Sequence, residues 1–141
     1  MKLLVATDGS KNALRAVKYA INLVERLNEA SSVTLISVHD DVALNHARRF
    51  VGKRAVDQYL RELSDADLAD ARKALDKAGV KHDMIIRVGR IAGEINDAAE
   101  NGKFELLVLG SKGRSALKDL LLGSVARRII ETAKVPVVLV K

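Results

Sequence analysis

The sequence predicts an α/β fold, a doubly wound parallel sheet of five strands with helices on both faces. Two observations carry that prediction. Short runs rich in Val, Ile and Leu recur along the chain, and the segments between them show the 3/4 spacing of amphipathic helices. The runs are continuous rather than alternating, as strands buried on both faces of a parallel sheet require. An order β-α-β-α-β-α-β-α-β then implies right-handed crossovers with helices above and below the sheet.

The clearest strand segments are residues 3–6, 33–38, 106–109 and 135–140, and 84–88 is a weaker fifth. After the first, Leu14, Val17, Ile21, Val24 and Leu27 form one apolar stripe, so a helix is expected over residues 10–28 with Ser10 as its N-cap. Val56, Leu60, Leu63, Leu68, Ala71 and Leu75 mark a second helix over Lys53–Ala78, stopped by Gly79. Ser64 and Asp67 look like a capping pair that could interrupt it. Asp57, Asp65, Asp67 and Asp70 read as its solvent side. Shorter helices are expected over Ile91–Asn101 and Ser124–Thr132. Residues 40–52 form one long stretch without a clear pattern, either a functional loop or a partly helical segment.

The chain has 141 residues, 48% hydrophobic and 30% charged, without a repeat or linker, and is read as one domain over residues 1–141. Aromatics are 3%, so aliphatic side chains must fill the core. The absence of cysteine excludes disulfides, thiolate chemistry and Cys-type zinc sites. His39, His46 and His82 lack metal-ligand spacing. The apolar start breaks off at Thr7-Asp8, too soon for a signal peptide, and no run reaches membrane-spanning length. A cytoplasmic protein without a membrane partner is expected. The net charge is +6, but the cations are scattered, with one dense cluster at Arg48, Arg49, Lys53 and Arg54. No aromatic residues interleave with them as a nucleic-acid stacking platform requires, so nucleic acid is not the expected partner.

Two strand exits are prepared for a ligand, because doubly wound sheets bind ligands beyond the carboxyl ends of their strands. The first is Ala6-Thr7-Asp8-Gly9-Ser10. The second is Gly110-Ser111-Lys112-Gly113-Arg114, followed by Gly123-Ser124-Val125 opening a helix. Glycines let the backbone turn sharply and approach a bulky ligand, and a helix start presents unpaired amides with partial positive charge. Phosphate suits such a place, with the Ser124 hydroxyl adding a hydrogen bond. Lys112 and Arg114 are either phosphate contacts or solvated loop charges. Asp8 can cap the first helix, touch the ligand, or both. The alternative is that the glycines serve tight turns alone. No Walker A loop and no G-x-G-x-x-G occurs.

Gly110-x2-Gly113-x9-Gly123-Ser124 resembles the G-x2-G-x9-G-[ST] signature of ATP-binding universal stress proteins. The likeness covers the whole chain, from Thr7-Asp8-Gly9-Ser10 to the closing strand that ends at Val140. It implies a strand order 3-2-1-4-5 with ATP at the junction of strands one and four. It further implies Gly110, Gly113 and Gly123 around the phosphates, and Ser124 with the Val125 amide at the terminal ones. Asp8 would lie beside the nucleoside, with Ala6 and Val38 lining the adenine pocket. It also implies a homodimer formed through the last strand, Val135 to Val140. Mg²⁺ or Mn²⁺ would be held mainly by the phosphates. The function expected is a nucleotide-dependent stress-response or signalling module. A slow ATPase, or a dimeric adaptor that needs no nucleotide, is the alternative.

Overall fold

A computed structural model describes residues 1–27, 29–114 and 121–141. In chain order the elements are β1 (Lys2–Ala6), α1 (Lys11–Arg26), β2 (Ser32–Asp40), α2 (Asp41–Val51) and α3 (Lys53–Ala78). They continue with β3 (His82–Gly89), α4 (Ile91–Asn101), β4 (Leu106–Gly110), α5 (Ser124–Thr132) and β5 (Val137–Val140). The sheet has the order β3-β2-β1-β4-β5, and every neighbouring pair is parallel. Val5 of β1 stands between Leu35 of β2 and Val108 of β4, which fixes the centre of the register.

Alternation along the strands divides the core into two layers. Leu3, Val5, Val33 and Leu35 face α1 and α3, where Ala16, Val17, Ala20, Leu68 and Leu75 meet them. Leu4, Ile36, Leu107 and Leu109 face the opposite side and meet Ile95, Ala98 and Ala99 of α4 with Ala126 and Ile129 of α5. Phe104 is the one aromatic residue buried in either layer. Alanines on α1 and α4 let those helices sit close to the sheet, so aliphatic side chains suffice to fill it.

Ser10 caps α1 as expected, its Oγ accepting from the Ala13 amide at 3.1 Å. The helix closes at Arg26 with Leu27 as its C-cap, and the expected end at Asn28 lies outside the described residues. β2 and β3 run longer at both ends than their apolar runs suggest, because ladder bonds continue past the last buried side chain.

One open choice is decided and two expectations are corrected. Of the two readings of residues 40–52 the helical one holds, for they form α2 with its two caps. Asp40 Oδ1 accepts from the amides of Val42 (2.8 Å) and Ala43 (3.2 Å), and Gly52 ends the helix at φ 84°. α3 is continuous through Ser64, whose Oγ donates to the Leu60 carbonyl one turn back at 2.7 Å instead of capping a new helix. β5 starts at Val137 rather than Val135, because Pro136 has no amide to give and contributes only its carbonyl, to Leu107 N at 2.9 Å.

Candidate functional site

The strand order reverses between β1 and β4, and a cavity of about 370 Å³ opens beyond their carboxyl ends. Its inner wall is apolar, with Ala6, Ile36, Val38 and Leu109 from the strands and Ile91 and Ile95 from α4. Its mouth is polar and rich in backbone, formed by Thr7, Asp8, Gly110, Lys112, Gly113, Arg114, Gly123, Ser124 and Val125. Ala6, Thr7, Asp8, Val38, Gly110, Lys112, Gly113, Arg114, Gly123, Ser124 and Val125 therefore all line one cavity, whereas Gly9, Ser10 and Ser111 of the two strand exits do not. Ile36, Ile91, Ile95, Leu109, Ala13 and Ala126 were not singled out, because buried aliphatic side chains carry no chemical signature apart from core.

A side chain at any of the three motif glycines would be crowded. A Cβ on Gly110 would lie 3.0 Å from the backbone of Asn12 in α1, and one on Gly113 would lie 3.1 Å from Asp8 Oδ2. At Gly123 it would lie 3.3 Å from Lys112 Cα, while φ of −73° is open to any residue, so approach and not dihedral selects glycine there. The Gly123 amide donates to Ser111 O at 2.7 Å and draws the two ends of the loop together. α5 begins at Ser124 without a side-chain cap. Its first-turn amides have no acceptor within the helix, and Ser124, Val125 and Ala126 all line the cavity. Partial positive charge therefore gathers at the mouth.

Asp8 organises both strand exits. Its Oδ1 accepts from Ser10 N and its Oδ2 from Arg114 N, each at 2.9 Å. Arg114 Nη2 in turn donates to the Asp8 carbonyl at 2.5 Å and to Asp67 Oδ1 of α3 at 2.7 Å. Arg114 is thus tied into the protein rather than a loose loop charge, and it also lines the cavity mouth. It closes a clasp between the β4 exit, the β1 exit and α3. Gly9 makes room for that clasp: its φ is +77°, and a Cβ would stand 2.8 Å from Arg114 Nη2 and 3.0 Å from Asp67 Cα.

Asp67 corrects the reading of α3, for its side chain is 8% exposed and faces inward. Beside it lies His39, buried at the end of β2, with Nε2 3.2 Å from Ser37 Oγ and 2.9 Å from Ser64 Oγ. The Ser64 proton goes to the Leu60 carbonyl, which can only accept, so the ring proton sits on Nε2 and is donated to Ser64. Burial lowers the His39 pKa from its usual 6.5; Asp67 opposes that shift and Arg114 adds to it. Helical phase would have revealed Asp67, since positions 64, 67, 68, 71 and 75 fall on one face of the helix and all are buried. Among the described residues no group of three His, Asp or Glu side chains is arranged to hold a metal ion.

The model of the universal stress protein family matches residues 1–141. The chain belongs to the universal stress protein family. Universal stress protein MJ0531 of Methanocaldococcus jannaschii is 33% identical over 141 residues, which are 99% of this chain and 81% of that relative. The solved structure of MJ0577, a universal stress protein of the same organism, has a TM-score of 0.85 at 31% identity, covering 99% of this chain and 94% of the other. A universal stress protein solved in complex with cAMP has a TM-score of 0.60 at 26% identity, covering 100% of this chain and 97% of the other. Among the described residues no helix is long and apolar enough to cross a membrane.

Proposed function

We propose that this universal stress protein binds an adenine nucleotide, ATP foremost, in the cavity between β1 and β4 and acts as a nucleotide-dependent stress-response or signalling module of the cytoplasm. The observation that carries this reading is the division of the cavity. An apolar inner half suits a base, and a mouth of loop backbone with an uncapped helix start suits phosphates. A cAMP complex of a relative with the same fold supports the choice of adenine. In this reading Ala6, Val38 and the isoleucines enclose the base. The amides of Gly113, Ser124 and Val125, with the Ser124 hydroxyl, take the phosphates, and Lys112 adds charge, while the Gly123 and Ser111 amides hold the loop through Ser111 O and Val140 O. Asp8 holds the two loops in register, both of its oxygens being engaged by backbone amides. A divalent ion, Mg²⁺ or Mn²⁺, would be coordinated chiefly by phosphate oxygens and water.

A thermal melt of nucleotide-stripped protein, with and without Mg-ATP, tests the reading. At about 100 times its dissociation constant a ligand stabilises the fold by about 2.7 kcal/mol, a rise of several degrees in Tm. In Gly123→Val the rise is expected to vanish. The branched side chain presses on the loop at Lys112, while its φ stays permitted and the start of α5 is kept. An empty, folded wild type whose Tm does not move with ATP, ADP, AMP or cAMP would sink the proposal.

A further inference from the structure

The corner where α2 meets α3 serves no part of the cavity, and its composition is unlike that of the remaining surface. No Asp or Glu occurs between Asp41 and Asp57, whereas Arg48, Arg49, Lys53 and Arg54 all do. Residues 49–55 are all exposed, and nothing lies within 4 Å of a Cβ built on Gly52, so the turn juts into solvent. Two apolar side chains stand at its tip, Phe50 at 76% and Val51 at 61% exposed. Val42 and His46 extend the apolar line along α2 at i, i+4 and i+8, and the rings of His46 and Phe50 lie 5.2 Å apart. Asp57 answers one cation, Arg48, at 3.6 Å. Among the described residues no ion pair engages Arg49, Lys53 or Arg54.

We infer that this corner is a docking surface for anionic lipid bilayers. Its shape decides against a peptide groove, because a protruding tip can be inserted into a partner but cannot enclose one. Its chemistry decides against water alone, because a helix with three large exposed apolar residues and no acid on its outer face resembles the interfacial class of amphipathic helices. Phe50 and Val51 would enter the headgroup boundary, and the surrounding cations would lie level with the lipid phosphates. Membrane-spanning length has no bearing on contact of this kind. Nor does the inference depend on nucleotide binding, since none of these residues lines the cavity.

The full chain is sedimented with phosphatidylcholine vesicles and with the same vesicles containing phosphatidylglycerol. The bound fraction is expected to be at least about tenfold higher on the anionic vesicles and to fall as salt rises. Phe50→Ser with Val51→Ser, and separately Arg49→Glu with Arg54→Glu, should each lower it about fivefold or more while leaving Tm unchanged, because these side chains are exposed. Equal binding to neutral and anionic vesicles, or a serine variant that binds like the wild type, overturns the inference. So does the outcome in which duplex DNA strips the protein from vesicles and the serine variant holds DNA as tightly as the wild type, which would assign the cations to nucleic acid.

Discussion

Asp67 and Arg114 form a contact that spans 47 positions of sequence and joins a helix to a ligand loop. Asp67 is buried on the side of α3 that faces β2, so its charge is tolerable only because Arg114 and its neighbours answer it. Arg114 itself is 60% exposed, and water screens part of the attraction. Asp67→Ala should therefore cost about 1–2 kcal/mol in a urea melt, at the low end for loss of a charged hydrogen-bond partner. The same change should also weaken nucleotide binding in calorimetry, because the 110–114 loop loses its anchor on α3. Asp70→Ala, an exposed change one turn away, is the control, and equal behaviour of the two variants would reduce the clasp to a surface ion pair. His39 gives a second test through pH. Its folded pKa is lowered by burial, so on acidification the unfolded chain takes up the proton first. The stability His39 contributes is complete above its usual 6.5 and declines as pH falls from there towards the folded value. Urea melts over a pH series should show a steeper acid loss for the wild type than for His39→Gln. Parallel curves would mean that other groups govern the acid limb.

At the scale of elements, what was legible in the sequence is what repeats or what only one residue type can do. β-Runs and apolar stripes announced four of the five helices and all five strands, and the glycines announced the loop between β4 and α5. α2 escaped because Leu44 is its only buried side chain, so no stripe could form on it. Its signal was the pair of punctuation marks at its ends, Asp40 as N-cap and Gly52 at positive φ. The false break at Ser64 has a related cause. A Ser followed three residues later by Asp imitates a capping box, but both side chains turn inward to tertiary partners, His39 and Arg114. Local pattern names the cap, and only packing reveals the alternative use. The polar half of the cavity was legible for the reason that it is made of glycines and a helix start. The apolar half was largely not, since Ile36, Ile91 and Ile95 resemble any other core residue until the sheet brings them together.

At the scale of the molecule the sheet has two open edges, β3 and β5, and they differ in how they are protected. β3 carries Asp83 and Arg87 among its apolar residues, charges that discourage pairing. β5 is Val137-Val138-Leu139-Val140, without a charge, and every one of its residues is half-buried. Its backbone orientation is set by β4: Leu107 N donates to Pro136 O, and Ser111 N to Val140 O at 2.8 Å. Alternation along the parallel pair then turns the amides and carbonyls of Val137 and Leu139 away from β4 towards the open edge. A second copy that pairs there would satisfy them and cover the apolar strand, so a homodimer through this edge is expected. Val137→Pro removes one outward amide, keeps every bond to β4, and places proline where edge strands accept it. Sedimentation velocity should show a dimer for the wild type and a shift to monomer for the variant, with a cooperative melt retained in both. A variant that stays dimeric would move the interface away from β5, and a monomeric wild type would leave the edge to be covered by some other partner.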